Sequence, residues 1–208
     1  MGIVKGQHII DLAFIIEPWK NLTYSDIKRI TKKKSKGYIY DALKRLKKER
    51  IIITEKVGKS ILYSINLPST SAQNYAGFLH EYSSWSQKNI PLQIIEKIRN
   101  KIPTNFFILL ITGSYAKKTQ TKLSDLDIVI ICDDNTEPKK IMAQINYESE
   151  TSIPKVHPHV FTKRQFLEML LDDEENYGKE TVRSVLIFYG GSQYYAILNE
   201  AIKHGFKG

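Results

Sequence analysis

Asp125 and Asp127, set at the head of the apolar run Ile128-Val129-Ile130-Ile131-Cys132, are the side chains best placed to do chemistry. On a strand, residues i and i+2 share a face, so both carboxylates project to one spot. Side by side they repel unless a cation joins them. A hard divalent ion, Mg2+ (or Mn2+), suits them, because magnesium takes one or two carboxylates together with substrate phosphates. Upstream, Phe106-Phe107-Ile108-Leu109-Leu110-Ile111 reads as a second buried strand that runs into Thr112-Gly113-Ser114. Gly113 lets backbone come close to a ligand, and Ser114 stands where the strand should give way to a helix with free N–H groups for a phosphate. The pattern predicts the phosphate chain of a nucleoside triphosphate bridged by metal to Asp125 and Asp127.

Gly113-Ser114, ten intervening residues and then Asp125-Leu126-Asp127 opening an apolar strand resembles the DNA polymerase β-like nucleotidyltransferase superfamily, especially its minimal members. Those read Gly-Ser-x-Ala-(Arg)-Gly and then Ser-Asp-x-Asp. Gly113, Ser114, Ala116, Ser124, Asp125 and Asp127 match in type and spacing; Lys117 stands for the frequent Arg, and Lys118 where a second Gly is usual. The resemblance implies a magnesium-dependent transferase with metal on Asp125 and Asp127. It also implies nucleotide binding by Gly113, Ser114 and Ser124, with Lys117 and Lys118 adding positive charge beside the phosphates.

The family usually presents a third carboxylate on a later strand. Here Ile153 to Thr162 alternates like a strand and carries His157 and His159 on one face, with no Asp or Glu in place. Three readings stay open: one histidine takes the position as general base, since a near-neutral imidazole can accept a hydroxyl proton; the third group is lost and nucleotide is bound weakly or not at all; or both make structural hydrogen bonds. Two imidazoles alone fall short of a zinc site.

The elements that must hold this constellation belong to a chain of 208 residues with an ordinary globular apolar share of 42%. A single cysteine, Cys132, excludes an internal disulfide framework, and no apolar run is long enough to span a bilayer. A cytoplasmic protein without membrane contact is expected. Charge is divided unevenly: residues 1–70 hold 15 Lys or Arg against 6 Asp or Glu, while 71–208 hold 16 of each. The positive excess marks the first third as a polyanion-binding module.

That third reads as a helix over His8–Ile16 stopped by Pro18, a second opened by a Thr23/Asp26 capping box, and a third over Lys36–Glu49. The third has Ile39, Ala42, Leu43 and Leu46 inward and Tyr40, Lys44, Arg45, Lys47 and Lys48 elsewhere. A hairpin turning at Val57-Gly58-Lys59 follows. Three helices and a hairpin resemble a winged helix-turn-helix, which places Lys36, Tyr38, Tyr40, Lys44, Lys47 and Lys59 near nucleic acid, DNA ahead of RNA. Past Pro68-Ser69-Thr70-Ser71, Tyr75, Phe78, Leu79 and Tyr82 form an expected core stripe; after Pro91 a helix is predicted to carry Leu92, Ile95 and Ile98 to a stop at Lys101-Ile102-Pro103, with further helices over Pro138–Tyr147 and Lys163–Leu171, at Val182, Val185, Leu186 and Tyr189, and over Gln193–His204. Gly190-Gly191 is set aside as a phosphate loop because no strand is expected before it.

The expected architecture is α/β (α+β): a winged helix-turn-helix over 1–70, then a polymerase β-like nucleotidyltransferase domain over 71–208 with a mixed sheet flanked by helices. Its expected partners are a nucleoside triphosphate, nucleic acid and a protein. The alternative is a catalytically inactive, DNA-binding transcriptional regulator or antitoxin-like protein.

Overall fold

The computed structural model describes residues 8–208; the first seven residues of the predicted 1–70 unit lie outside the described residues. Helix α1 (Ile9–Ile16), α2 (Tyr24–Thr31) and α3 (Lys36–Lys48) precede a hairpin of β2 (Ile52–Val57) and β3 (Ser60–Ile65). A two-residue strand the sequence did not announce, β1 (Leu22–Thr23), pairs with β3, giving an antiparallel sheet ordered β1-β3-β2. The local signals act as expected. Thr23 and Asp26 form a reciprocal capping box on α2, and the Ser35 side chain accepts the Tyr38 N–H at the start of α3. Arg45 is the exception on α3: it turns inward and donates to both oxygens of buried Asp11 at 2.9 and 2.8 Å. An uncompensated carboxylate inside the α1–α3 contact would be costly, so the guanidinium follows it.

Helices α4 (Thr70–Trp85) and α5 (Leu92–Lys101) lead to the second sheet, ordered β6-β5-β4-β7 and built from β4 (Phe107–Ile111), β5 (Leu126–Cys132), β6 (Val156–Thr162) and β7 (Leu186–Tyr189). β5 and β6 are parallel and the other pairings antiparallel, so the sheet is mixed. The continuous apolar runs of β4 and β5 are explained by cover on both faces. Ile108, Leu110, Val129, Ile131 and Ile187 join the core under α4, α8 (Lys163–Leu171) and α10 (Gly191–Lys203), which is continuous with the cores of α1 to α3. Leu109, Ile111, Ile128, Ile130 and Phe188 pack with α5 and α7 (Pro138–Thr151) on the other face. Each such Leu or Ile contributes about 1.5–3 kcal/mol by leaving water.

Two elements differ from expectation. Val182 closes a short helix, α9 (Tyr177–Arg183), but Leu186 and Tyr189 belong to β7. A run of four apolar residues does not distinguish strand from helix by itself; pairing with β4 decides, and α4 covers the outer edge, where Ser84 Oγ accepts the Ile187 N–H at 3.0 Å and Trp85 Nε1 donates to Phe188 O at 3.0 Å. A strand therefore does precede Gly190-Gly191. The Gly191 N–H is nonetheless taken by the Glu81 carboxylate at 2.5 Å, so the glycine pair offers this amide to no phosphate. The buried face of α4 is also rotated from the predicted stripe: Ala72, Ala76, Gly77, Leu79 and His80 are covered while Phe78 is exposed. The cause is close passage of α10, since a Cβ on Gly77 would stand 2.4 Å from Ser192 N. Among the described residues no helix is long and apolar enough to cross a membrane.

Candidate active site

The turn after β4 is fixed from two sides. Thr112 N–H donates to Asp127 O at 3.1 Å, continuing the β4–β5 ladder by one bond, and Thr112 Oγ1 donates to Ser184 O at the end of α9 at 3.2 Å. Gly113 follows with φ 64°, and a Cβ there would lie 2.1 Å from Asp127 Oδ2. Glycine is required twice, for the left-handed backbone and for contact with the carboxylate. Helix α6 (Gly113–Lys117) then runs for one turn. It closes with Thr119 N–H on Ser114 O and Lys118 N–H on Tyr115 O, and with Lys118 itself left-handed at φ 59°. That closure is the helix-ending motif in which Gly is preferred, so the Lys118 departure stands at a position of backbone need.

Asp127 points to the same sheet face as Val129 and Ile131, and Asp125 lies just before β5. Register aligns Asp127 with His157 and Val129 with His159 on the neighbouring parallel strand. His157 consequently stands beside both carboxylates, with Nε2 3.4 Å from Asp125 Oδ2 and Nδ1 3.9 Å from Asp127 Oδ1. His159 is set further along and tilts over the Tyr177 ring at 4.5 Å between centroids. Burial pushes the Asp127 carboxyl above its ordinary range; the charges of Asp125 and Glu180 push the same way, against the pull of the two histidines.

The remaining predicted residues have separate surroundings. Ser114 is half-buried at the start of α6. Lys118 is exposed, and Lys117 Nζ is paired with Glu180 Oε1 at 2.8 Å. Ser124 Oγ accepts the Thr121 N–H at 2.9 Å, closing its own turn. Two residues of α9 went unnoticed in the sequence: Glu180, and Tyr177, whose buried hydroxyl has no hydrogen-bond partner among the described residues. Asn176, whose side chain accepts the Lys179 N–H, announces a helix start, but nothing local sets that helix beside Asp127.

A strand, a glycine turn touching a carboxylate, and a second carboxylate two residues off are now in one place. Residues 92–182 match the family model of a nucleotidyltransferase domain. The matched span runs from α5 into α9 and takes in the turn, both aspartates, both histidines and Glu180. A solved structure described as the crystal structure of the toxin-antitoxin with AMP-PNP is similar at 16% identity, over 55% of this chain and 87% of that one, with a TM-score of 0.33. No curated protein matches the chain.

Ahead of the matched span, α3 carries the predicted basic surface. Lys36 Nζ lies 5.7 Å from the Tyr40 ring, which stacks on Tyr24 at 5.0 Å, and Lys33 lies over Tyr38 at 5.5 Å. Lys44 and Lys47 line a cleft between α3 and the hairpin together with Leu43, Ile61 and Tyr63. Lys59 is exposed at the hairpin turn. Lys28, Arg29, Lys32, Lys33 and Lys34 line a shallow depression beside Ser25 on α2 and the following turn, a second basic group in addition to the predicted contacts.

Proposed function

We propose that this protein is a nucleotidyltransferase that moves a nucleoside monophosphate from a nucleoside triphosphate to an acceptor hydroxyl. The observation that carries the proposal is the Asp125–Asp127 pair beside the Gly113 turn. Its donor chemistry fits Mg2+ (or Mn2+): two half-buried carboxylates two residues apart, one of them raised in pKa chiefly by burial and also by its like-charged neighbours, gain from a shared cation. Among the described residues no three His, Cys, Asp or Glu groups form a complete metal cage; magnesium keeps waters and takes substrate phosphates as its other ligands, so a complete cage is not needed. When bound, the ion supplies neutralisation of charge on the phosphates.

In the proposed reaction the acceptor oxygen attacks the α-phosphorus, the bond to the bridging oxygen breaks, and pyrophosphate leaves. The acceptor proton passes to a ring nitrogen of His157, which lies beside both carboxylates; His159 holds a more distant place against Tyr177. Ser114 and the amides around Gly113 orient the outer phosphates. The first third is proposed to be a winged helix-turn-helix that keeps the domain on nucleic acid, DNA ahead of RNA, through Lys36, Tyr38, Tyr40, Lys44, Lys47 and Lys59. The second reading, an inactive, antitoxin-like DNA-binding regulator, is favoured by the sequence of β6, which carries two imidazoles and no carboxylate.

The test is incubation with Mg2+, each labelled nucleoside triphosphate and RNA, DNA, protein or small-molecule acceptors, beside Asp125→Ala and Asp127→Ala. Transfer lost in both variants supports the enzyme. Transfer that survives both, or no transfer together with no metal-dependent nucleotide binding, removes it; metal-dependent binding without transfer selects the regulator.

A further inference from the structure

Lys117 and Glu180 come from different elements and meet at the rim of the site. Lys117 ends α6, the turn of helix begun by Gly113, and Glu180 lies mid-way along α9. Their charged ends are 2.8 Å apart with about half of each side chain in solvent, 47% and 57%. Helix α9 is a rigid mount. The Asn176 side chain caps it, the buried Lys179 ammonium donates to Asp172 O and Glu174 O, Arg183 pairs with Glu175, and Thr112 Oγ1 bonds Ser184 O just past its end. Lys179 and Thr181, on either side of Glu180, are buried. The glutamate is also near enough for its charge to act on Asp127 and Tyr177.

We propose that Glu180 is a positioning residue that holds Lys117 in reserve and gives it up to the phosphate chain of an incoming nucleotide. The proposal rests on the nucleotidyl-transfer reading and deepens it. A metal-bound triphosphate is a denser anion than one carboxylate and outcompetes it for the ammonium, and the freed Glu180 turns to water because it is already half exposed. A half-exposed pair is weak enough to exchange in this way.

The test is a double-mutant cycle on the full chain, reading affinity for Mg2+–ATP and for Mg2+–tripolyphosphate by calorimetry. Lys117→Ala is expected to weaken both ligands. Glu180→Gln, with Glu180→Ala as a second variant, is expected to tighten both by about two- to five-fold, the size of the pair it removes. In a Lys117→Ala background the Glu180 substitutions are expected to change nothing, an outcome a merely structural role for Glu180 would not give. Weakened or unchanged binding on loss of Glu180, in a protein whose binding depends on Asp125, overturns the latch and leaves nucleotide binding standing; so does tightening that persists without Lys117. If the wild type binds neither ligand, or Asp125→Ala binds as well, the nucleotidyl-transfer reading fails and the latch falls with it.

Discussion

Gly113 and Asp127 are in contact: the carboxylate Oδ2 fills the place where a Cβ on residue 113 would stand, 2.1 Å from that point. Because φ at Gly113 is 64°, alanine there meets a strained backbone as well as a clash. Gly113→Ala is expected to cost about 1–2 kcal/mol of stability. It should cut metal-dependent nucleotide binding by at least about ten-fold, because the carboxylate must move by more than the tolerance of a preorganised site. Denaturant melts and calorimetry check the two effects, and unchanged binding would remove Asp127 from the site.

Lys118 occupies a left-handed position at the end of α6. Lys118→Gly is expected to stabilise the chain by about 0.5–1 kcal/mol, the relieved backbone penalty exceeding the added freedom of the unfolded chain. A lowered denaturation midpoint would show that the lysine side chain holds more than its backbone costs.

His80 is buried, with Nδ1 3.0 Å from the Tyr195 hydroxyl and Nε2 3.1 Å from Val185 O, and burial pulls its pKa down from 6.5 to about 4. The unfolded chain takes up a proton below its ordinary pKa while the folded chain refuses one. Stability is therefore full above pH 6.5 and falls as pH drops towards 4, by about 3 kcal/mol in all from this group. Against the wild type, His80→Gln should show a shallower loss across that window; parallel curves would rule the residue out.

Asp11 is 1% exposed and takes both bonds from Arg45, with Tyr75 donating to one of the same oxygens and His8 Nδ1 2.9 Å from it. Arg45→Met leaves that carboxylate buried beside neutral donors and a histidine, at an expected cost of about 3 kcal/mol. Adding Asp11→Asn should restore part of the loss, a coupling read from urea melts of the four proteins. Simple additivity would mean that the two do not act as a pair.

On α3, Lys44→Ala and Lys47→Ala are each expected to lower the salt slope of nucleic-acid binding by about one unit. Affinity should fall uniformly across sequences, as for backbone contacts. Binding that ignores salt would point to a protein partner for this face.

What the sequence determined by itself is what short-range rules control. The Thr23/Asp26 box starts α2, Ile39, Leu43 and Leu46 face inward on α3, and Asp125 and Asp127 stand at the head of an apolar strand. Gly113 was legible for the same reason, as a turn between two apolar runs. Tertiary structure decided whatever depends on partners far along the chain. Val185 to Tyr189 could have coiled or extended until β4 and α4 supplied partners for it; Arg45 looked like one more outward cation until Asp11 drew it in. His157 gained its place beside Asp125 and Asp127 only through the β5–β6 register, and Glu180 reached Lys117 only because α9 is anchored over the turn. Periodicity records which way a side chain points from its own element; which charge it meets there is set when elements distant in sequence are packed together.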